Sequence, residues 1–407
     1  MEIHELFRGI AIVIDNEIGN DKASISYIIA QIKQQNIPYI PYKTIPTDEE
    51  VINFCNLSFV LLDWDLNEID DRSKAEGVKA PATLSDSLIN ENIHFITTLK
   101  GICYCPIFIF SDLNVNAIAL KLEENHLILK GRPNHIFIKS KGDLQGDKLF
   151  NEIEKWVKIN PSIYVLKEWE KEYQKSKNNL FLEFQELSPI WPKILWKNYE
   201  DDGVNKSLEL GELITRNLLS RMMPFEFCDE ILTNNAESIS QSEIRKVLEG
   251  CIYIGKEKLH DDNIAPGDVF QISNEYFVNI RAACNLIPDR NKPKASLDDV
   301  ELYLLKGQVV SEKDITKLFL KEYGIFSEAD YQAILFPIIN GKILDFHFKK
   351  IFVKDWRDIK QNRIGRILPP FITKIQQKYA HYLQRQGLPR TPSEALFTPE
   401  EIVKTTE

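Results

Sequence analysis

The sequence predicts an α/β chain. A doubly wound parallel sheet comes first, then a helical connector, then an α+β region with a small antiparallel sheet and a basic C-terminal helix. Three observations predict it. Short continuous apolar runs alternate with helix-like segments over the first third of the chain. A long stretch of helical periodicity follows. Turn signals of hairpin type then separate short strand-like runs near the C-terminus.

The apolar runs are Ile10–Ile14 (IAIVI), Phe59–Leu62 (FVLL), Pro106–Phe110 (PIFIF) and His135–Ile138 (HIFI). None of them alternates with polar residues, as expected of parallel strands buried on both faces. Pro38–Tyr42 adds a fifth run whose prolines suit an edge strand. Ala23–Gln35, Leu84–Leu99 and Asn114–Glu124 have helical character between them. Ile163–Leu187 reads as one long helix, with Leu166, Trp169, Tyr173, Leu180, Phe184 and Leu187 spaced mostly three, four or seven apart. Two readings stand for it: a helix packed on its own chain, or one that pairs with a second copy in a homodimer.

In the last third, Pro266–Phe270 and Tyr276–Ala282 read as two strands around a Ser273-Asn274 turn. Gln332–Ile339 and Lys342–Val353 flank Asn340-Gly341, the strongest short hairpin signal. The domains expected are 1–158, 159–255 and 256–407.

Composition excludes several classes. The 407 residues are 43% hydrophobic and 27% charged, enough apolar content to build packed cores. Net charge is −10, unlike a general polyanion binder. No apolar stretch approaches the roughly 20 residues that span a bilayer, and no leader pattern opens the chain, so a soluble cytoplasmic protein without membrane association is expected. The six cysteines form neither a disulfide framework nor paired CxxC motifs. Neither a phosphate-binding glycine loop nor a nucleophile elbow is present, so no enzyme motif stands out.

Polar residues follow each apolar run. The first runs into Asp15, Asn16 and Glu17, the third into Asp63, the fourth into Ser111 and the last into Lys139. In a doubly wound sheet these carboxyl ends converge on one crevice. Carboxylates gathered there call for a cation, and a hard divalent ion such as Mg²⁺ suits oxygen donors.

These segments, IVIDNE, VLLDWDL, IFIFS and FIKS, resemble the receiver domain of two-component response regulators over residues ~8–155. The resemblance implies a flavodoxin-like fold and a phosphorelay function within the divergent branch associated with bacterial phage defence. Asp63 would be the phosphoacceptor, supplied by a partner histidine kinase. Ser111 would be the switch hydroxyl and Lys139 the phosphate-side cation. Mg²⁺ would be held by Asp15, Asn16, Glu17 and Asp63. Asn16 stands where the family usually has a second acid, which weakens the expected Mg²⁺ affinity, and Ser140 stands where it usually has proline. Leu66 to Pro106 is longer than usual and includes the polar run Asn67–Lys79.

From Lys349 to Arg390, eleven Lys or Arg face two Asp, a local charge of +9 that leaves −19 for the rest. Lys360, Arg363, Arg366, Lys374 and Lys378 are therefore candidate contacts to nucleic acid or to an acidic partner. The alternatives to a phosphorelay regulator or phosphate buffer are a nucleic-acid-binding regulator or effector gated by the receiver, and an interaction scaffold built on a pseudo-receiver.

Overall fold

A computed structural model describes residues 3–66, 86–144, 148–233, 239–288, 296–311, 313, 326–386, 391–392 and 395. The polar run Asn67–Lys79 lies outside them, as does nearly all of the tail. Contacts divide the chain into two compact units, Met1–Ala236 and Glu237–Glu407.

The first unit begins with α1 (Ile3–Leu6), β1 (Ile10–Ile14), α2 (Ser24–Gln34), β2 (Tyr39–Tyr42), α3 (Asp48–Val51) and β3 (Leu57–Leu62). It continues with α4 (Asp86–Ile102), β4 (Ile107–Ser111), α5 (Val115–Glu124), β5 (Ile136–Ser140) and α6 (Leu149–Lys158). The five strands are all parallel, in the order β2-β1-β3-β4-β5. That is the flavodoxin-like order, in which the strand sequence reverses between β1 and β3.

Each central strand is apolar on both sides because helices cover both sides. Ala11, Val13, Phe59, Leu61, Phe108 and Phe110 face α2, α6 and the start of the next helix. Ile12, Ile14, Val60, Leu62, Ile107 and Ile109 face α3, α4 and α5. Period-two alternation puts successive side chains into the two different cores.

The remaining helices of this unit are α7 (Pro161–Leu187), α8 (Trp191–Asp201), α9 (Lys206–Met222) and α10 (Asp229–Thr233). A separate helical connector over 159–255 is expected from the sequence, but these helices belong to the first unit. Ile163 and Tyr164 of α7 are buried in the same core as α2 and α6, and the Tyr164 hydroxyl accepts from Cys228 N at 2.8 Å. No membrane-crossing helix occurs among the described residues.

The second unit contains α11 (Gln241–Ile252), β6 (Tyr253–Gly255), β7 (Asp268–Ile272), β8 (Glu275–Asn279), β9 (Glu301–Val309) and β10 (Phe326–Ala329). It ends with β11 (Gln332–Ile338), β12 (Lys342–Asp355), α12 (Trp356–Ile359), β13 (Arg363–Ile367) and α13 (Phe371–Leu383). The strands form a curled antiparallel sheet in the order β10-β11-β12-β9-β8-β7-β13-β6. With eight strands it is larger than the small sheet expected. Both predicted hairpins are present, and Asn340 and Gly341 take φ of 60° and 72° in the turn between β11 and β12. Gly267 opens β7 at φ 92°, where a Cβ would lie 2.2 Å from the Ile367 carbonyl oxygen. A side chain there would push β7 off β13.

The basic C-terminal segment departs from expectation. Its first half is mostly strand, through β12 and β13 with the short α12 between them, and Phe371–Leu383 is its longer helix. The run Arg363–Ile367 alternates buried and half-buried residues as a strand does, and a register shift between Arg363 and Gly365 lets both arginines reach the same interior groups.

Candidate functional site

Two acids stand just past the ends of neighbouring strands. Asp15 follows β1 and its N–H donates to the Tyr42 carbonyl at 2.9 Å. Asp63 follows β3 and its N–H donates to the Ile14 carbonyl at 2.8 Å. Ladder bonds thus continue one residue beyond each strand and hold both acids over the carboxyl edge, beside the switch point. Asp15 is fully buried and Asp63 is 4% exposed.

A third charge lies between them. The Lys141 ammonium donates to Asp15 Oδ2 and to Asp63 Oδ2, each at 2.8 Å. The second oxygen of each acid accepts from its own loop: Glu17 N reaches Asp15 Oδ1 at 2.8 Å, and Asp65 N reaches Asp63 Oδ1 at 3.1 Å. Trp64, buried, fixes the loop after Asp63, because Asn92 Nδ2 donates to its carbonyl at 2.9 Å. Ser111 ends β4, fully buried, in register with Ser140. Its Oγ accepts from Leu113 N at 3.2 Å, so the hydroxyl proton stays available to a ligand.

One ammonium does not neutralise two carboxylates. Burial pushes the Asp63 carboxyl up to about 7; Lys141 opposes this and Asp15 adds to it. Burial alone would lower the Lys141 ammonium, but Asp63 and Asp15 outweigh burial and raise it. Above pH ~7 the cluster therefore carries surplus negative charge at the carboxyl edge of the sheet.

Asp15 and Asp63 offer oxygen donors of the kind a divalent cation takes, with one oxygen of each held by Lys141. Mg²⁺ commonly takes one or two carboxylates and fills its shell with water and phosphate oxygens. Asp15 and Asp63 are the pair that would hold it. Asn16 and Glu17 lie half-buried on the turn after Asp15. Among the described residues no three Asp, Glu, His or Cys side chains converge as a metal cage.

Lys139, the cation expected from the sequence, is not brought to this cluster. Its ammonium lies 2.9 Å from Glu152 Oε2 on α6, and Lys155 holds the other oxygen at 2.7 Å. Lys139 is still within β5, beside Phe137 on the face that α6 covers, whereas Lys141 is the first residue beyond the strand. The segment FIKSK offers both lysines. The strand's length decides between them, since the β4–β5 register runs on to Ser140.

The five basic candidates of the second unit are scattered. Arg363 is 2% exposed; its guanidinium donates to the carbonyls of Asn263 and His260, both at 2.7 Å, and lies over the Trp356 ring. Arg366 donates to Asp268 Oδ1 at 2.7 Å and to the Asn263 carbonyl at 2.6 Å. Both are interior groups of the sheet and not a surface for phosphates. Lys360 is bound to Asp298 at 2.8 Å. Lys374 is exposed and Lys378 half-buried on α13. The sequence reading missed the Asp268–Arg366 pair, which joins residues on β7 and β13 that are far apart in the chain.

No protein-family model matches this sequence, and no curated protein matches it.

Proposed function

We propose that the first unit is a receiver of the two-component type and that Asp63 accepts a phosphoryl group. The observation that carries this reading is the pair of buried acids on one ammonium, at the switch point of a 2-1-3-4-5 parallel sheet. An Asp63 oxygen attacks the phosphorus of a phosphohistidine on a partner kinase, or of a small acyl phosphate. The bond from phosphorus to the donor breaks, and the donor leaves with its electron pair. Mg²⁺, held by Asp15 and Asp63 and flanked by Asn16 and Glu17, would neutralise charge on the phosphoryl oxygens.

Lys141 takes the role that the resemblance assigns to Lys139. It keeps one carboxylate partner in Asp15 while its ammonium turns to the phosphoryl oxygens. Ser111 donates its hydroxyl proton to the same group. The added charge of about −1.5 to −2 then acts on the turn that carries Lys141. That turn is tied to α2: Gln31 Nε2 donates to the Leu144 carbonyl at 3.3 Å, and Gln31 Oε1 accepts from Leu149 N at 2.9 Å. A shift of Lys141 is thereby passed to a surface helix.

Incubation with Mg²⁺ and acetyl phosphate, followed by intact mass, tests this. One added phosphoryl on the wild type and none on Asp63→Ala is the expected result. An unmodified wild type that also fails to bind beryllofluoride would make the unit a docking module.

A further inference from the structure

A second reactive group lies at the opposite end of the same sheet. Cys103 follows α4, with its N–H donating to the Leu99 carbonyl at 2.7 Å, and Cys105 precedes Pro106 and β4. Leu57, beside them, begins β3, whereas Asp63 follows its end. Six residues of strand put the two places about 20 Å apart. Cys103 is half-buried and reachable, and Cys105 is 1% exposed.

Only Tyr104 separates the two cysteines, so the chain itself holds them close together. The Leu57 N–H also points to the Cys103 sulfur. Behind that peptide lies Lys167 of α7, whose buried ammonium donates to the Leu57 carbonyl at 3.3 Å and to Glu170 at 2.8 Å. These are the charged groups that face the pair. The Cys105 hydrogen bond, the Leu57 N–H and Lys167 outweigh burial and bring the Cys103 thiol down to about 6. Cys105 goes the other way, its thiol raised by its bond to Cys103 and by burial. The two thiols are thus driven in opposite directions, Cys103 toward the thiolate and Cys105 away from it.

We propose that Cys103 and Cys105 form a reversible dithiol–disulfide couple that exchanges with small disulfides. The Cys103 thiolate attacks one sulfur of the small disulfide, and its S–S bond breaks to release one thiolate. Cys105 gives up its proton to solvent, and its thiolate attacks the Cys103 sulfur of the mixed disulfide. The second small thiolate leaves. The two cysteines are oxidised by two electrons and the small disulfide is reduced to two thiols. Two residues of chain span at most about 7 Å, the outer limit for a disulfide. The chain therefore allows the two sulfurs to be bridged, and an accessible couple of this kind exchanges reversibly with small thiols. The proposal does not depend on the chemistry at Asp63.

The test uses the full chain with oxidised glutathione near neutral pH, followed by peptide mass mapping. Exposed Cys55, Cys251 and Cys284 serve as internal comparisons. The expected product is a 103–105 disulfide, lighter by two hydrogens, formed before those cysteines react and reversed by dithiothreitol. Cys105→Ser should stop at a glutathione adduct on Cys103, and Cys103→Ser should leave Cys105 unmodified. Should Cys105→Ser fail to fold, iodoacetamide labelling of the wild type decides alone. Cys103 alkylating at pH ~6.5 at least tenfold faster than Cys55, Cys251 and Cys284 supports the thiolate. Labelling no faster than theirs, or a glutathione adduct on wild-type Cys103 that is never resolved, overturns the proposal.

Discussion

Each unit buries a three-membered charge cluster, and the two clusters are built on opposite principles. In the first, Asp15 and Asp63 share Lys141, so negative charge is in excess. In the second, buried Asp268 holds Arg366 at 2.7 Å and Arg363 at 3.7 Å, so positive charge is in excess among the interior groups, with the exposed Asp261 carboxylate 3.9 Å from Arg363. The surplus in the second is absorbed internally, by the carbonyls of Asn263 and His260 and by the Trp356 ring. The surplus in the first outlasts the N–H groups of Glu17 and Asp65 and is met only by a proton, since burial and Asp15 raise the Asp63 carboxyl to about 7. A buried cluster whose surplus is met by backbone is a structural device. One whose surplus is left to a proton, at the carboxyl edge of a parallel sheet, is poised for a ligand of the missing charge.

That contrast breaks most visibly at Asp268. Asp268→Ala leaves two buried guanidiniums without their carboxylate, and neither can shed its proton. Removing one partner of a buried pair costs about 3–5 kcal/mol. Denaturant unfolding should register a loss of that size, with faster hydrogen exchange in β7 and β13 and unchanged exchange in β1 and β3. A neutral result would mean that carbonyls and Trp356 suffice for both arginines.

The first cluster has an outlet that the second lacks. Lys141→Met leaves two buried acids together, but Asp63 can take up a proton. The expected loss is about 2–4 kcal/mol near pH 8, shrinking toward pH ~5. A loss equal at both pH values would show that Asp63 does not titrate in the folded chain.

The two clusters also differ in how far the sequence disclosed them. Asp15, Asp63 and Ser111 were legible because each ends a continuous apolar run, and parallel topology sends all such ends to one edge. The sequence points to Lys139 because the apolar run stops at Ile138, while the strand continues to Ser140. Strand length there is set by pairing with β4, which the residues of β5 alone do not encode. The second cluster was illegible. Its members sit on β7 and β13, which pair across about a hundred residues, and the charges around Arg363 and Arg366 resemble a basic surface until the strand alternation is known. Asn340-Gly341 and Ser273-Asn274 were easy by comparison, since a hairpin turn is a local event.

Asp63→Asn sharpens the comparison in the stabilising direction. The Asp63 carboxyl moves from its ordinary 3.8 up to about 7 in the folded chain. The folded state holds a proton that the unfolded state releases, so the associated stability is present below pH ~4 and is lost as pH rises through ~7. The amide removes that dependence, and Lys141 keeps Asp15. Asp63→Asn should therefore unfold later than wild type near pH 8, by about 1–3 kcal/mol, with the difference closing toward pH ~5. The opposite order at pH ~8 would mean that Lys141 needs both carboxylates.

The smallest effect separates the two lysines of the same segment. Lys139→Met removes a half-exposed pair to Glu152, whose other oxygen stays with Lys155. Such pairs add little to stability, so the melting temperature should not move measurably. Phosphoryl uptake from acetyl phosphate should also match wild type, whereas Lys141→Met should lose it where the protein remains folded. Equal losses in both variants would place Lys139 in the phosphoryl pocket after all, and would require β5 to end two residues earlier when the site is loaded. Loss in Lys141→Met alone would tie the chemistry to the residue that the register of β5 with β4 carries past the sheet edge.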